Sequence, residues 1–475
     1  MFGQLLSSAW PAMVRGRRGL MAVLLIGLLL RVAMVTYRFD QLRVDTDAYL
    51  AIAERLVAGH GFCSVRGFPT AYRPPLFPLL VAVSTSCCST LGLAVMQVGL
   101  GLGTIFGTWW LARRVLGNEG TQMVLSVTDP VLCCPSSPTP LPVGARGERA
   151  YEQAREDVAG DRRALIAALL VAVDPLLLLY SSQAMTEVLM AALTIGFSAA
   201  LWLKPGRQRA IVAGAMFGLL ALCRPSIWPF AALAGAWSLW VARREDRWPW
   251  SERGLFVLVA TVMLLPWCVR NAMVFGRPIL TTTHGGYTAI LGNNDSFDRS
   301  VVSQRFGASW SKDAFDAWQD EVEGSLTERG LERTDEVGRD AAMKEMAWVW
   351  IQFHPDRFIR AAIYRVLNLW SPVPMQPGST KGWLIAIVGA GYVALATLAV
   401  VGGWCGLLDR HFRRLTLLML LSLTALHCVF WANARMRAPT QPLIAILAAA
   451  GAERLCSRSL TNRRENLGVA LKTED

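Results

Sequence analysis

Long apolar segments recur along most of the chain and constrain its fold more than any other feature of the sequence. A hydrocarbon layer about 30 Å thick is spanned by roughly 20 apolar residues in an α-helix, in which all backbone polar groups are hydrogen-bonded. Charged residues make up 17% of the 475 residues, against about 25% in soluble domains. A disordered chain is excluded and a soluble enzyme is disfavoured. We predict an all-α polytopic membrane protein.

Ten segments are predicted to span the membrane: 20–37, 93–112, 164–180, 188–203, 210–223, 226–242, 254–270, 384–404, 415–432 and 438–452. Several are shorter than about 17 residues, so tilted, broken or half-length helices are expected among them. Segment 75–91 is predicted to be interfacial or re-entrant, because its second half is rich in Ser, Thr and Cys.

Lys and Arg residues cluster in the short loops between these segments, and such clusters favour the cytoplasmic side. Placing them all there puts both termini in the cytoplasm and puts 38–74 and 271–383 outside, in a plasma (inner) membrane protein. The net charge of +12 is then an orientation signal, and no nucleic-acid partner is needed to explain it.

Five regions follow from this topology. They are 1–116, with the first helix, the first external loop and the next crossing; 117–160, an inserted, partly disordered cytoplasmic loop; 161–270, transmembrane helices; 271–383, an extracytoplasmic loop with interfacial helices; and 384–475, the last helices and a basic tail. The ten cysteines include two adjacent pairs and no CxxC motif, so neither a disulfide framework nor a zinc site is expected.

The first external loop contains the most informative pattern. Tyr49, Ile52 and Leu56 recur at helical spacing, which predicts an amphipathic helix on the membrane. A projection of 100° per residue puts Asp45 on this apolar face and Asp47 on the opposite, solvated face. Asp45 is also placed to cap the helix. A carboxylate at an apolar boundary can act as a base, whereas the simpler interpretation is a cap and a solvated charge.

Other candidate groups fall on the same predicted side. Glu187 opens an apolar helix, where an acid is also favoured by the helix dipole. Arg73, Arg270, Arg435 and Arg437 lie in the predicted headgroup zone, and guanidinium groups there suit a phosphate or simply snorkel. The further candidates for substrate binding are Tyr49, Tyr72, Asn271, Asn293 and Asn294.

Several short motifs occur in a characteristic order: Asp45-x-x-x-Tyr49, Gly59-His60-Gly61-Phe62, Tyr72-Arg73-Pro74-Pro75, Thr186-Glu187, Leu222-Cys223-Arg224-Pro225, Pro266-Trp267-x-x-Arg270-Asn271, Gly292-Asn293-Asn294 and Arg435-x-Arg437-x-Pro439. With them the chain resembles the GT-C superfamily of integral-membrane glycosyltransferases. The similarity is greatest to the bacterial branch related to protein O-mannosyltransferases and lipid A aminoarabinose transferases (the RgtA/B/C/D-like domain). The resemblance covers nearly the whole chain except 117–160.

The resemblance implies a GT-C-type bundle that moves a sugar from a polyprenyl-phosphate carrier to an acceptor lipid, glycan or protein outside the membrane. It places Asp45 at the position of the family's base and Glu187 at the second acidic position. Relatives often carry Glu after that Asp, whereas this chain has Thr46 and then Asp47, so both aspartates are candidates for the base. An inverting transfer with no covalent intermediate is expected.

No cofactor is expected to be required. A divalent cation near Asp45 and Glu187 is compatible with their chemistry, although hard cations take more oxygen ligands than these two carboxylates supply. Two other functions stay open at the level of sequence: a transporter or flippase of lipid-linked sugars, and a catalytically inactive relative in envelope assembly.

Overall fold

The structure, a computed structural model, describes residues 17–116, 159–241, 248–308, 310–373 and 382–472. Its regular elements within these ranges are helices, and Cys63 and Pro69 form an isolated β-bridge. The prediction of an all-α polytopic membrane protein is therefore confirmed. The five predicted regions are not tested and stay predictions, and nearly all of the predicted insertion 117–160 lies outside the described residues.

The main helices are α1 Arg17–Tyr37, α2 Tyr49–Val57, α3 Leu76–Leu116, α4 159–172, α5 Pro175–Tyr180, α6 Glu187–Leu201, α7 Arg207–Cys223, α8 Trp228–Val241, α9 Trp250–Phe275, α10 Gly285–Gly292, α11 Lys312–Glu328, α12 Glu336–Phe353, α13 Pro355–Leu369, α14 Gly382–Trp404, α15 Arg410–Val429 and α16 Gln441–Lys472. Five of them, α1, α3, α9, α14 and α15, are long and apolar enough to cross a membrane. The remaining predicted spans correspond to α4 with α5, α6, α7, α8 and α16, so the total of ten crossings stays a prediction.

The predicted span 164–180 is broken, because α4 ends at residue 172 and α5 begins at Pro175. Pro175 has no N–H group to continue the helix, and the Asp174 carboxylate accepts a hydrogen bond from the Leu177 N–H at 2.9 Å. Arg31 of α1 donates to the carbonyls of Val171 and Ala172 at 3.3 and 3.1 Å. This buried arginine therefore satisfies carbonyl groups that the break leaves unpaired.

Helix α3 folds back on itself near Ser89, whose φ is 53°. A Cβ atom added to Gly92 would lie 1.9 Å from the Ser84 carbonyl oxygen, so the two arms of this helical hairpin are in backbone contact. The arm before the reversal is only about 18 Å long, too short for a hydrocarbon layer of about 30 Å. Its length agrees with the prediction that 75–91 does not span the membrane.

Arginines from the predicted cytoplasmic loops meet at one end of the bundle. Arg114 donates to the Trp202 carbonyl at 3.1 Å, and Arg162 pairs with Glu453 of α16. We call this the basic end. Helix α6 begins at Glu187 and ends beside Trp202, so its 15 residues separate Glu187 from the basic end by about 22 Å.

Helices α10 to α13 form an outer layer at the end of the bundle that contains Glu187. Trp318 and Leu326 of α11 pack with Met343 of α12 in a separate hydrophobic cluster. Glu336, the first residue of α12, accepts hydrogen bonds from Thr70 Oγ1 at 2.6 Å and from the Ala71 N–H at 2.8 Å. The outer layer is thereby fixed to the loop that follows α2.

Candidate active site

The loop before α2 positions two aspartates differently. Asp45 is exposed, and its carboxylate accepts hydrogen bonds from the N–H groups of Leu50 and Ala51 at 3.1 and 2.9 Å. It therefore satisfies free donors in the first turn of α2, as predicted for a cap. Ala48 directly follows Asp47 and precedes α2, and its φ of 61° is a left-handed conformation that is unusual for a residue with a Cβ atom.

The predicted faces of these aspartates are wrong. The projection continued the helix back to Asp45, whereas α2 begins at Tyr49 and Ala48 before it is left-handed, so the helical projection does not apply to the aspartates. Tyr49 and Ile52 are buried as expected, but Asp45 is solvent-exposed and Asp47 points into the protein, with 15% of its side chain exposed. Both aspartates stay candidates for the base.

Asp47 is held by two arginines that are distant in sequence. Arg73 donates from Nε to the Asp47 carbonyl at 2.7 Å and from Nη2 to Oδ1 at 3.0 Å. Arg435 donates from Nη1 to Oδ2 at 3.3 Å. Burial raises the pKa of Asp47, but the positive charges of Arg435 and Arg73 outweigh it and hold the pKa below its usual value. The carboxylate is therefore ionised at neutral pH.

Glu187 continues this network on the bundle side. It is fully buried at the start of α6, and its Oε1 atom accepts a hydrogen bond from Arg224 Nη2 at 2.6 Å. Arg435 Nε lies 3.7 Å from the same oxygen, so Arg435 bridges Asp47 and Glu187. Arg224 also donates from Nε to Thr186 Oγ1 at 2.6 Å. Five segments of the chain thus contribute to one ionic cluster.

The ionic cluster comprises Asp47, Arg73, Glu187, Arg224 and Arg435, three guanidinium groups against two carboxylates, with a net charge of +1. Two of its buried polar atoms, Glu187 Oε2 and Arg435 Nε, have no hydrogen-bond partner among the described residues. Burying such charges is costly, and replacing them by apolar residues often stabilises a protein. A partly satisfied buried cluster with excess positive charge is well suited to bind an anion.

Aromatic rings flank this cluster. The Arg73 guanidinium lies 5.3 Å from the ring centroid of Tyr49 and 5.1 Å from that of Tyr72. Tyr49 packs edge-on against Phe77, and Tyr72 packs against His284 with their ring centroids 4.2 Å apart. The predicted residues Tyr49, Tyr72 and Arg73 therefore lie together next to Asp47.

The other predicted arginines lie apart from this network. Arg270 donates to the carbonyls of Phe62 and Thr70, both at 2.8 Å. Arg437 donates to the carbonyls of Leu369 and Ser371 at 3.1 and 2.6 Å. These two guanidinium groups thus hold loops in place.

The predicted amides also bond to the backbone. The Nδ2 atoms of Asn271, Asn293 and Asn294 donate to main-chain carbonyls, and Asn294 Oδ1 accepts from the Phe297 N–H at 2.7 Å. These hydrogen bonds position the segments around the site, and the geometry places none of the three amides in the ionic cluster.

Sequence reasoning did not select Arg224, Glu336 or His284 for the site. A signal existed for Arg224, because the following Pro225 disfavours helical backbone and α7 ends at Cys223. Glu336 and His284 lie in the outer layer, where the sequence has no pattern that pairs them with the first loop. Their roles become visible only in the folded chain.

Potential metal ligands and thiols are dispersed among the described residues. Across the described ranges, no group of three or more His, Cys, Asp or Glu residues is arranged to hold a metal ion. Eight cysteines are described, and all of them are free thiols. The compatibility of Asp45 and Glu187 with a divalent cation stays an expectation.

No protein-family model matches the chain, and no curated protein matches it either. The chain is similar to the crystal structure of ArnT from Cupriavidus metallidurans bound to undecaprenyl phosphate, with 15% sequence identity and a TM-score of 0.37 over 92% of this chain and 78% of that chain. It is similar to the same protein in the apo state at 14% identity and a TM-score of 0.37, over 91% and 76% of the two chains.

Proposed function

We propose that this protein is an inverting glycosyltransferase that moves a sugar from a polyprenyl-phosphate carrier to an acceptor hydroxyl on the extracytoplasmic face of the membrane. The observation that carries the proposal is the ionic cluster, in which Asp47 and four other buried or half-buried charges from separate segments lie together with a net charge of +1. The sequence resemblance to membrane glycosyltransferases supports the same reaction independently of this geometry.

The donor phosphate is expected to bind at the guanidinium groups of Arg435 and Arg73. Arginine recognises phosphate oxygens through paired, charge-assisted hydrogen bonds. Negative charge develops on the departing polyprenyl phosphate, so cations fixed there stabilise the transition state more than the ground state. Arg224, which is hydrogen-bonded to Glu187 at 2.6 Å, supplies further positive potential on the buried side of the site.

Asp47 is the residue that the geometry favours as the base. The acceptor oxygen attacks the anomeric carbon as the bond from that carbon to the phosphate oxygen breaks, and the electron pair of the broken bond stays on the phosphate. Asp47 takes the hydroxyl proton. Its carboxylate is already ionised, and a phosphate that engages Arg73 and Arg435 frees it from its two partners. The Asp45 carboxylate, in contrast, accepts hydrogen bonds from the first turn of α2.

One observation favours transport of lipid-linked sugars as a second candidate function. Transporters commonly have broken helices and charges in the middle of the membrane, and the break between α4 and α5 lies beside the buried Arg31. Arg31 donates hydrogen bonds to the carbonyls at that break, which also gives it a structural role. Transfer chemistry remains the better supported function, because the larger charge cluster lies at one end of the bundle.

The test is release and transfer of sugar from radiolabelled polyprenyl-phosphate sugars by membranes containing the wild type, Asp47→Asn or Asp45→Asn. We expect Asp47→Asn to lower the rate by about 10²- to 10⁴-fold, the usual contribution of a general base. Asp45→Asn serves as the matched control and should keep most of the activity. Loss of activity only in Asp45→Asn would move the base to Asp45. A wild type that transfers no sugar but speeds the crossing of lipid-linked sugars would replace the transferase by a flippase.

A further inference from the structure

A cavity of about 450 Å³ lies between the loop that follows α2 and the outer layer. Its walls include Tyr72 of the first loop, Tyr287 of α10, Trp318 and Gln319 of α11, and Arg339 of α12. Tyr72 also contacts Arg73 of the ionic cluster. The cavity is therefore adjacent to the proposed donor site but is built from other residues.

The charges on the cavity wall balance. The charged side chains that line it are Arg66, Arg333, Arg339, Asp320, Glu323 and Glu336. Glu323 accepts hydrogen bonds from Arg333 at 2.7 Å and from Arg339 at 2.6 Å. The net charge of +1 on these three groups is balanced by the net charge of −1 on Arg66, Asp320 and Glu336. The ionic cluster next to it carries +1 instead. The wall thus favours a neutral, polar ligand over a phosphate or an acidic one.

Aromatic rings and hydrogen-bonding groups both line the cavity. The ring centroid of Tyr287 lies 6.1 Å from that of Trp318 and 6.4 Å from that of Tyr72. Gln319 Nε2 donates to the Tyr287 hydroxyl at 3.4 Å. A sugar ring presents apolar C–H groups on its faces and hydroxyl groups at its edge, so it matches walls of this composition.

His284 contacts two of the tyrosines that line the cavity. Its ring lies between Tyr72 and Tyr287, at centroid distances of 4.2 and 5.4 Å, and both tyrosines line the cavity. Its buried Nδ1 atom has no hydrogen-bond partner among the described residues. His284 does not line the cavity itself but contacts two residues that do, and a buried polar atom without a partner is usually satisfied by water or ligand.

We propose that this cavity is the acceptor subsite and that it binds a neutral saccharide ring whose hydroxyl attacks the donor sugar. This inference rests on the proposed transferase function and names the class of its acceptor. The ring can belong to a free glycan or to the head group of a glycolipid. Tyr72 joins the two subsites, since it lines the cavity and its neighbour Arg73 holds Asp47.

The test measures binding of radiolabelled methyl glycosides of neutral hexoses and pentoses to the full chain in nanodiscs free of glycolipid. The variants are Tyr287→Ala, which removes an aromatic wall, and Tyr287→Phe, which keeps the ring. Tyr37→Ala makes the same change at a side chain that is 86% exposed at the end of α1. Alkyl glycosides of the same sugars distinguish a glycolipid head group from a free glycan. If the acceptor is a glycolipid, the alkyl tail should increase the affinity of the glycoside; if it is a free glycan, the tail should have no effect.

We expect saturable binding that weakens about 10-fold in Tyr287→Ala, as expected for the loss of a stacking ring, and that persists in Tyr287→Phe and Tyr37→Ala. Binding should also persist in Asp47→Asn, which damages the reaction but not the cavity. A wild type that transfers sugar yet binds no neutral glycoside, or binds one without regard to Tyr287, would overturn the acceptor subsite alone. Glycoside binding without transfer from any donor would overturn the proposed function and the acceptor role together.

Discussion

Arg435 and Arg437 stand two residues apart in the short helical segment before α16, yet their guanidinium groups have different partners. Arg435 contacts the carboxylates of Asp47 and Glu187, whereas Arg437 contacts main-chain carbonyls and lies 4.8 Å from the Tyr392 ring centroid. Only Arg435 can exchange its partners for a phosphate without leaving backbone groups unpaired. One motif in the sequence therefore contains a binding residue and a structural one.

This difference predicts different effects of the same substitution. Arg435→Gln removes the excess charge of the ionic cluster, so we expect the KM for the polyprenyl-phosphate donor to rise about 10- to 100-fold, as for a lost charged hydrogen bond, with little loss of thermal stability. Arg437→Gln leaves buried carbonyls unpaired and should lower the free energy of unfolding by about 1–3 kcal/mol. Equal effects of the two variants on donor KM would contradict the assignment.

The ionisation state of Asp47 leads to a prediction about the pH dependence of kcat/KM. The guanidinium groups of Arg435 and Arg73 outweigh burial and lower the pKa of Asp47, whereas burial lowers the pKa of His284 well below 6.5. Both pKa values then lie below their usual values of about 6.5 for His and 3.9 for Asp, so neither group is expected to titrate between about pH 6.5 and pH 8. We expect kcat/KM for the donor, which reports ionisation of the free enzyme, to show no acidic limb in this range. A limb centred near pH 6.5 would contradict the assignment.

The lowered pKa of Asp47 also makes the free energy of unfolding depend on pH. A carboxyl group with a lowered pKa stabilises the folded state above the pKa of the unfolded chain, about 3.9 for Asp. That stabilisation is lost as the pH falls through the lower pKa of the folded state. The acid-induced loss of stability below about pH 4 should therefore be smaller in Asp47→Asn than in the wild type.

Local features of the site could be predicted from the sequence, whereas the pairing of charges could not. The burial of Tyr49 and Ile52 and the position of Glu187 at a helix start depend on nearby residues. The placement of Asp47 depends on one left-handed residue, Ala48, which periodicity does not reveal. The contact between Glu187 and Arg224 joins residues 37 positions apart and follows only from packing.

At the scale of elements, α14 and α16 approach each other closely through glycine. A Cβ atom on Gly402 would lie 1.8 Å from the Leu447 carbonyl oxygen, and one on Gly451 would lie 2.0 Å from the Leu398 carbonyl oxygen. Small residues permit such backbone contacts between membrane helices, where packing replaces the hydrophobic effect as a driving force. These contacts set the position of α16, which follows directly on the segment containing Arg435.

Adjacent glycines in α14 provide a matched test of this packing. Gly402→Ala forces α14 and α16 apart, and we expect it to lower the free energy of unfolding by about 1–3 kcal/mol, as for overpacked cores. Gly403→Ala has nothing within 4 Å of the added methyl group and should be neutral or slightly stabilising, since alanine favours helix. Thermal unfolding in detergent compares the two, and equal melting temperatures would show that the close approach is not required.

Helix positions were largely predictable, and the exceptions have local causes. Apolar runs identified α1, α9, α14 and α15 because their length and composition are intrinsic to each segment. The break between α4 and α5 was missed although Asp174-Pro175 marks it, since apolar residues continue on both sides. The polar second half of 75–91 predicts an interfacial or re-entrant segment, and the reversal near Ser89, which Gly92 permits, lies at its end.

At the scale of the whole molecule, charges separate the bundle into two ends. The basic end holds Arg114 and Arg162, whereas the ionic cluster and the outer layer lie beyond the opposite end of α6. The bias of Lys and Arg towards cytoplasmic loops then predicts that the cluster faces outward. This orientation is a prediction, because the contacts within the protein do not identify either compartment.

Accessible single cysteines test the orientation directly. In a background with the native cysteines replaced, Asp316→Cys would report the outer layer and Lys204→Cys the loop at the basic end, both at exposed positions. In sealed vesicles of known orientation, we expect an impermeant maleimide to label Asp316→Cys from the extracytoplasmic side and Lys204→Cys only after permeabilisation. Labelling of both from one side would contradict the two-ended arrangement. The reverse pattern would put the ionic cluster in the cytoplasm, and donor and acceptor would then have to meet on that side.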